Sequence, residues 1–131
     1  MKRRALIAAV VAAALAGFAS GPLVAQSVKL KAHEIAALLT GNTAIGTWNG
    51  AKYRQFFDAD GSTIFAQEDA RSARGEWRVD ADRDEYQSIW ARDADWEGWY
   101  VMEYAGDFYW VSKSTPPTPF RVLDGQQLIN P

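Results

Sequence analysis

The longest stretch in which apolar positions follow one rule runs from Gly98 to Ser112, rich in aromatic and β-branched residues and interrupted by Gly106-Asp107. Such residues favour a pleated strand surface, and Gly-Asp suits a two-residue hairpin connection. That connection would set Ala105 against Phe108, Tyr104 against Tyr109 and Met102 against Val111. Alternation then gathers Tyr100, Met102, Tyr104, Tyr109 and Val111 on an uncharged face. Trp99, Val101, Ala105, Phe108 and Trp110 fall on the other, broken by Glu103 and Ser112. The first face reads as core, so Met102→Ala would cost about 2–5 kcal/mol. The second reads as either covered by another element or kept as an aromatic binding surface.

The rest of the chain follows in short elements. Ile35, Leu38 and Leu39 recur at helical spacing within residues 32–39, and Gly41 sits where a left-handed cap ends a helix. A helix this short is stable only when those residues pack on a sheet. Strands are then predicted over residues 44–48 and 51–57 around an Asn49-Gly50 type I′ turn, and over 62–67 after Asp58-Ala-Asp-Gly61. Residues 74–80 alternate most cleanly, with Gly75, Trp77 and Val79 inward and Arg74, Glu76, Arg78 and Asp80 outward. A strand over 85–92 puts Tyr86 and Trp90 on one face and Ile89 on the other. Three prolines within 114–119 exclude a central strand there, a last strand covers 120–123, and the polar tail beyond is expected to fray. The sum is a mainly β chain: an antiparallel meander of about eight short strands forming a bent sheet or small barrel, with one short N-terminal helix.

Composition changes this picture at the N-terminus. Lys2, Arg3 and Arg4 precede an apolar run from Ala5 to Ala19, and Leu23-Val24-Ala25 offers a small-residue cleavage site, with Gly17-Phe18-Ala19 as an alternative. This is the pattern of a secretory signal peptide over 1–25 and predicts a periplasmic or secreted protein with no stable membrane span after cleavage. Residues 26–131 then form a single β-rich domain. Without the leader, 11 Lys plus Arg face 16 Asp plus Glu, a balance of −5 with no basic cluster, which argues against nucleic acid as partner. The chain has no cysteine, so thiol catalysis, disulfides and the common zinc sites are excluded.

Candidate chemistry is sparse. Asp80, Asp82 and Asp84 are spaced like the start of a calcium loop, but Glu85 stands where that loop needs glycine and Ala91 where it needs a glutamate. They read first as solvated turn residues and only weakly as metal ligands. The one histidine, His33, has no Gly-x-Ser-x-Gly elbow to serve, and no catalytic residue or cofactor is nominated. The tryptophans carry more. Trp77 and Trp90 fall on apolar strand faces and read as core, whereas Trp96 lies in an acidic turn. Trp96, Trp99, Phe108 and Trp110, with Glu103 among them, form the candidate ligand-binding set, suited to a small molecule, a glycan or a protein of the cell envelope; the competing reading is that they pack. The expected function is a non-catalytic ligand- or partner-binding β domain. The alternatives are a hydrolase acting on envelope glycans through paired carboxylates and a proteinaceous enzyme inhibitor.

Leu39-Thr40-Gly41-Asn42-Thr43 with Gly46, the pair Phe56-Phe57, Asp60-Gly61 and Gly75-Glu76-Trp77-Arg78-Val79 together resemble a class of small exported alphaproteobacterial β-rich domains of uncharacterised function. The resemblance spans roughly residues 35–111 and implies a periplasmic β-rich domain without implying an activity. Members often carry a cysteine pair on the later strands, and this chain has none.

Overall fold

The computed structural model describes residues 26–129, so the predicted signal segment lies outside the described residues. A two-residue strand β1 (Val28–Lys29) and helix α1 (Ala32–Leu39) precede eight strands: β2 (Thr43–Trp48), β3 (Ala51–Phe57), β4 (Ser62–Gln67), β5 (Ala73–Asp80), β6 (Glu85–Trp90), β7 (Glu97–Tyr104), β8 (Asp107–Val111) and β9 (Thr118–Leu123). Each of β2 to β9 pairs antiparallel with the next, and β9 pairs with β2. The meander therefore closes into an eight-stranded barrel, which removes the open edges a flat sheet would present. β6 pairs only with Glu97–Trp99 of β7, and β1 takes the vacated edge at Met102 and Glu103. The N-terminal lead is thus a ninth strand.

Closure decides what is inside. Residues directly opposite share a face, so the pairings carry one inward set around the barrel: Tyr53, Gln55 and Phe57 on β3, Trp77 on β5, Tyr86 and Ser88 on β6, Val101 on β7, Trp110 on β8 and Phe120 on β9. All of these are buried. The alternation expected of β5 is observed, as are the spans of α1 and β4.

The burial expected of the β7–β8 hairpin is reversed. Val101 is 0% and Trp110 8% exposed, while Tyr100 and Tyr104 on the supposed core face are 36% and 43% exposed on the outer wall. Both faces are apolar enough to be core, so alternation alone identified the two sets without ranking them. The turn also differs: Tyr104 pairs with Asp107, and Ala105 and Gly106 are the loop residues, at φ 54° and 88°. This is the same two-positive-φ turn as Asn49-Gly50, at 50° and 82°. Accepting positive φ at an alanine costs about 1–2 kcal/mol, which barrel packing offsets. The resulting register sets Trp110 opposite Val101, with its ring stacked on Phe120 at 4.1 Å.

One end of the barrel is plugged. α1 lays the fully buried Ile35 and Leu39 into the same core as Phe57, Trp77 and Tyr86. Its entry is held by a bond from the Ala32 N–H to Asp84 Oδ1 (2.7 Å), and its exit by one from the Gly41 N–H to the Phe57 carbonyl (2.7 Å). The tail expected to fray is instead strapped across this end. Thr43 Oγ1 donates to the Gly125 carbonyl (2.7 Å) and accepts from the Gln127 N–H (2.9 Å), and Asn42 Oδ1 accepts from the Gly125 N–H (3.0 Å). This cover explains why Thr43 is fully buried although its side chain points outward.

Candidate functional site

The opposite end of the barrel is open. A cavity of about 350 Å³ runs inward from exposed Asn49 and Glu97 at the rim, past Trp48, Phe65, Gln67, Trp90 and Trp99, to buried Tyr53, Gln55, Tyr86, Ser88 and Trp110. A larger groove of about 820 Å³ lies along β2, β3, β4 and β9, lined by outward Ile45, Arg54 and Arg121 together with Tyr53 and Gln67. The barrel cavity is the better candidate, because it is concave, aromatic and furnished with a few converging polar groups.

Its walls are shaped by glycine. Gly46 stands opposite Tyr53 and Gly75 opposite Trp90. A Cβ at Gly46 would lie 2.9 Å from the Tyr53 hydroxyl, and one at Gly75 would lie 2.6 Å from Trp90 Cε3. Each ring therefore lies flat over a strand that lacks a side chain at that point. Nearer the rim, Trp48 and Trp99 meet edge to face at 5.8 Å and 81°, and Phe65 and Trp90 do so at 6.2 Å and 71°. Two aromatic corners thus frame the mouth.

The floor is polar but satisfied. Gln55 Nε2 donates to Thr63 Oγ1 and to the Tyr86 hydroxyl, both at 3.0 Å, and Trp110 Nε1 donates to the Tyr53 hydroxyl at 3.0 Å. Gln55 Oε1 and the O–H protons of Tyr53 and Tyr86 take none of these bonds, so the floor can offer a ligand both an acceptor and donors. Burial pushes the Tyr86 phenol up to about 12; Ser88 and Gln55 beside its hydroxyl hold it back, and the charges of Tyr53 and Glu97 add to the rise. Burial likewise raises Tyr53 against the pull of the Trp110 bond. Both hydroxyls therefore remain neutral donors and acceptors across the physiological range. Among the described residues, Glu97 is the single charged one lining the cavity.

Of the five residues proposed from sequence, the structure brings Trp99 and Trp110 together in this cavity. Phe108 faces inward but at the plugged end, where it packs on Phe120 at 5.8 Å. Glu103 is opposite Phe108 at that same end and pairs across β7 with Val28. Trp96 lies outside, its ring 3.9 Å beneath the Arg78 guanidinium, whose Nε donates to Gln87 Oε1 at 2.7 Å. The three tryptophans do not share one face, because Trp96 is three residues from inward Trp99 and alternation sends it outward, onto Arg78. Trp90, read as core, instead lines the mouth.

Two of the three calcium candidates, Asp80 and Asp84, are engaged by backbone N–H groups. Asp80 Oδ1 accepts the Asp82 and Arg83 N–H groups at 2.9 and 3.2 Å, and Asp84 holds the start of α1. Among the described residues, no three His, Cys, Asp or Glu side chains gather as metal ligands. Sequence reasoning missed Trp48, Tyr53, Gln55, Phe65, Tyr86 and Ser88. The signal was present in two inward triplets, Tyr53-x-Gln55-x-Phe57 and Tyr86-x-Ser88-x-Trp90, whose polar middle positions a fully packed interior would fill with apolar side chains. Comparison of the chain with protein-family models, curated proteins and solved structures finds no match in any of the three.

Proposed function

We propose that this is an exported binding protein without catalytic chemistry, which takes a small, largely aromatic or apolar molecule into the open end of its barrel. The observation that carries the reading is the continuous cavity from exposed Glu97 and Asn49 to buried Gln55, Ser88 and Trp110. Its volume of about 350 Å³ is at the small end of ligand sites, and its aromatic walls and few polar groups have the composition of one. Hydrolysis by paired acids requires a second carboxylate across the cavity from Glu97, and none of the described residues supplies one there. Export to the periplasm or beyond rests on the basic and apolar N-terminal pattern.

The reading is tested by filling the cavity. Ser88 is buried on its wall, and Ser88→Leu should weaken binding of 1-naphthalenemethanol, followed by tryptophan fluorescence, at least about tenfold. Tyr104→Ala on the outer wall should leave that affinity unchanged. Wild-type affinity in a Ser88→Leu protein whose near-ultraviolet circular dichroism shows native packing would place binding elsewhere.

A further inference from the structure

From the aromatic corners and the single carboxylate at the mouth, we infer that the cavity selects hydrophobic organic cations, such as aryl-ammonium compounds, over neutral and anionic molecules of the same shape. The inference rests on the reading of the barrel as a binding site and adds the charge of its ligand.

Three observations converge on it. The mouth presents Trp48 and Trp99 at 81° to each other, and Phe65 and Trp90 at 71°. A guest entering between them is enclosed by four aromatic rings in two differently tilted pairs, a setting in which a desolvated cation can gain from ring π-density. Second, Glu97 lines the cavity while, among the described residues, no lysine, arginine or histidine does. Its charge is felt at the floor, where it helps to raise the Tyr86 phenol. Third, the polar groups at depth, Gln55, Ser88 and the Tyr53 and Tyr86 hydroxyls, are neutral, so none of them repels a cation. The loops around the open end continue this bias, with Glu68, Asp69, Asp93 and Asp95 against Arg71, Arg92 and Lys113. An anion would meet Glu97 without a compensating cation in the wall, and a neutral ring would gain packing alone.

Three probes sharing one ring system separate these cases: 1-naphthylmethyl-trimethylammonium, 1-naphthalenemethanol and 1-naphthoate, each titrated into the wild-type protein and into Glu97→Gln at fixed ionic strength. The ammonium should bind about tenfold more tightly than the alcohol, and the alcohol more tightly than the carboxylate. Glu97→Gln should reduce the ratio of ammonium to alcohol affinity by about fivefold. If the alcohol binds and the ammonium binds no better, or if Glu97→Gln leaves the ratio unchanged, charge selection is wrong and the binding site stands. If none of the three binds, the site itself is wrong, and charge selection falls with it.

Discussion

Trp110→Ala is expected to destabilise the protein by about 3–5 kcal/mol, while Met102→Ala costs under about 1 kcal/mol. The two residues are neighbours across one hairpin, and taking the uncharged face as core would rank them the other way. Trp110 is 8% exposed, stacks on Phe120 at 4.1 Å, lies 5.0 Å from the ring of Tyr86 and donates to the Tyr53 hydroxyl. Removing it opens a void at the junction of the plugged core and the cavity floor, and leaves Tyr53 without its donor. Met102 faces outward beside Tyr100 and Tyr104, where water can fill the space of a lost side chain. Urea unfolding of both variants checks the ranking. Equal costs would mean that the outer face is covered and the barrel interior is wrongly assigned.

The second large effect is alkaline unfolding. Tyr86 has a folded value of about 12 against an ordinary 10.0, with burial the main cause, and Tyr53 is shifted the same way. Between these values the unfolded chain has lost a proton that the folded chain keeps. Stability is therefore fully present below pH 10 and falls as pH rises toward about 12. For Tyr86 alone the loss is on the order of 2–3 kcal/mol. Chemical denaturation at intervals from pH 8 to 12 should show this slope, and Tyr86→Phe should flatten it. The same substitution leaves Gln55 one partner short, lowering stability at neutral pH by about 1 kcal/mol. An unchanged alkaline slope in Tyr86→Phe would show that the buried phenol is not its source.

Much of the architecture was legible because local rules and global packing agree. The alternation of Arg74 to Asp80, the Asn49-Gly50 turn and the helical spacing of Ile35 and Leu39 each depend on neighbours along the chain, and each is found as expected. Sidedness was not legible where both faces of a strand are aromatic. In β7 and β8, inside and outside follow from where β9 returns to pair with β2, a contact between residues 43–46 and 120–123 that no local pattern encodes. The same long-range closure overrides the Gly106-Asp107 turn. It also explains the partial recovery of the site: Trp99 and Trp110 were recognised by type and position, whereas Tyr53, Gln55 and Ser88 become neighbours only once β3 and β6 face each other across the barrel.

The most direct test of the ligand cavity uses the six tryptophans as internal reporters, through the indole N–H signals of a nitrogen-15-labelled protein titrated with 1-naphthalenemethanol. Trp48, Trp90, Trp99 and Trp110 line the cavity. Trp77 is tied to the Asp58 carbonyl at the plugged end, and Trp96 is stacked on Arg78 outside the barrel. Saturable shifts at the four lining indoles, with those of Trp77 and Trp96 unmoved, are the predicted result. Shifts centred on Trp96, or no saturable shift at any of the four, would contradict the assignment of the open barrel end as the binding site.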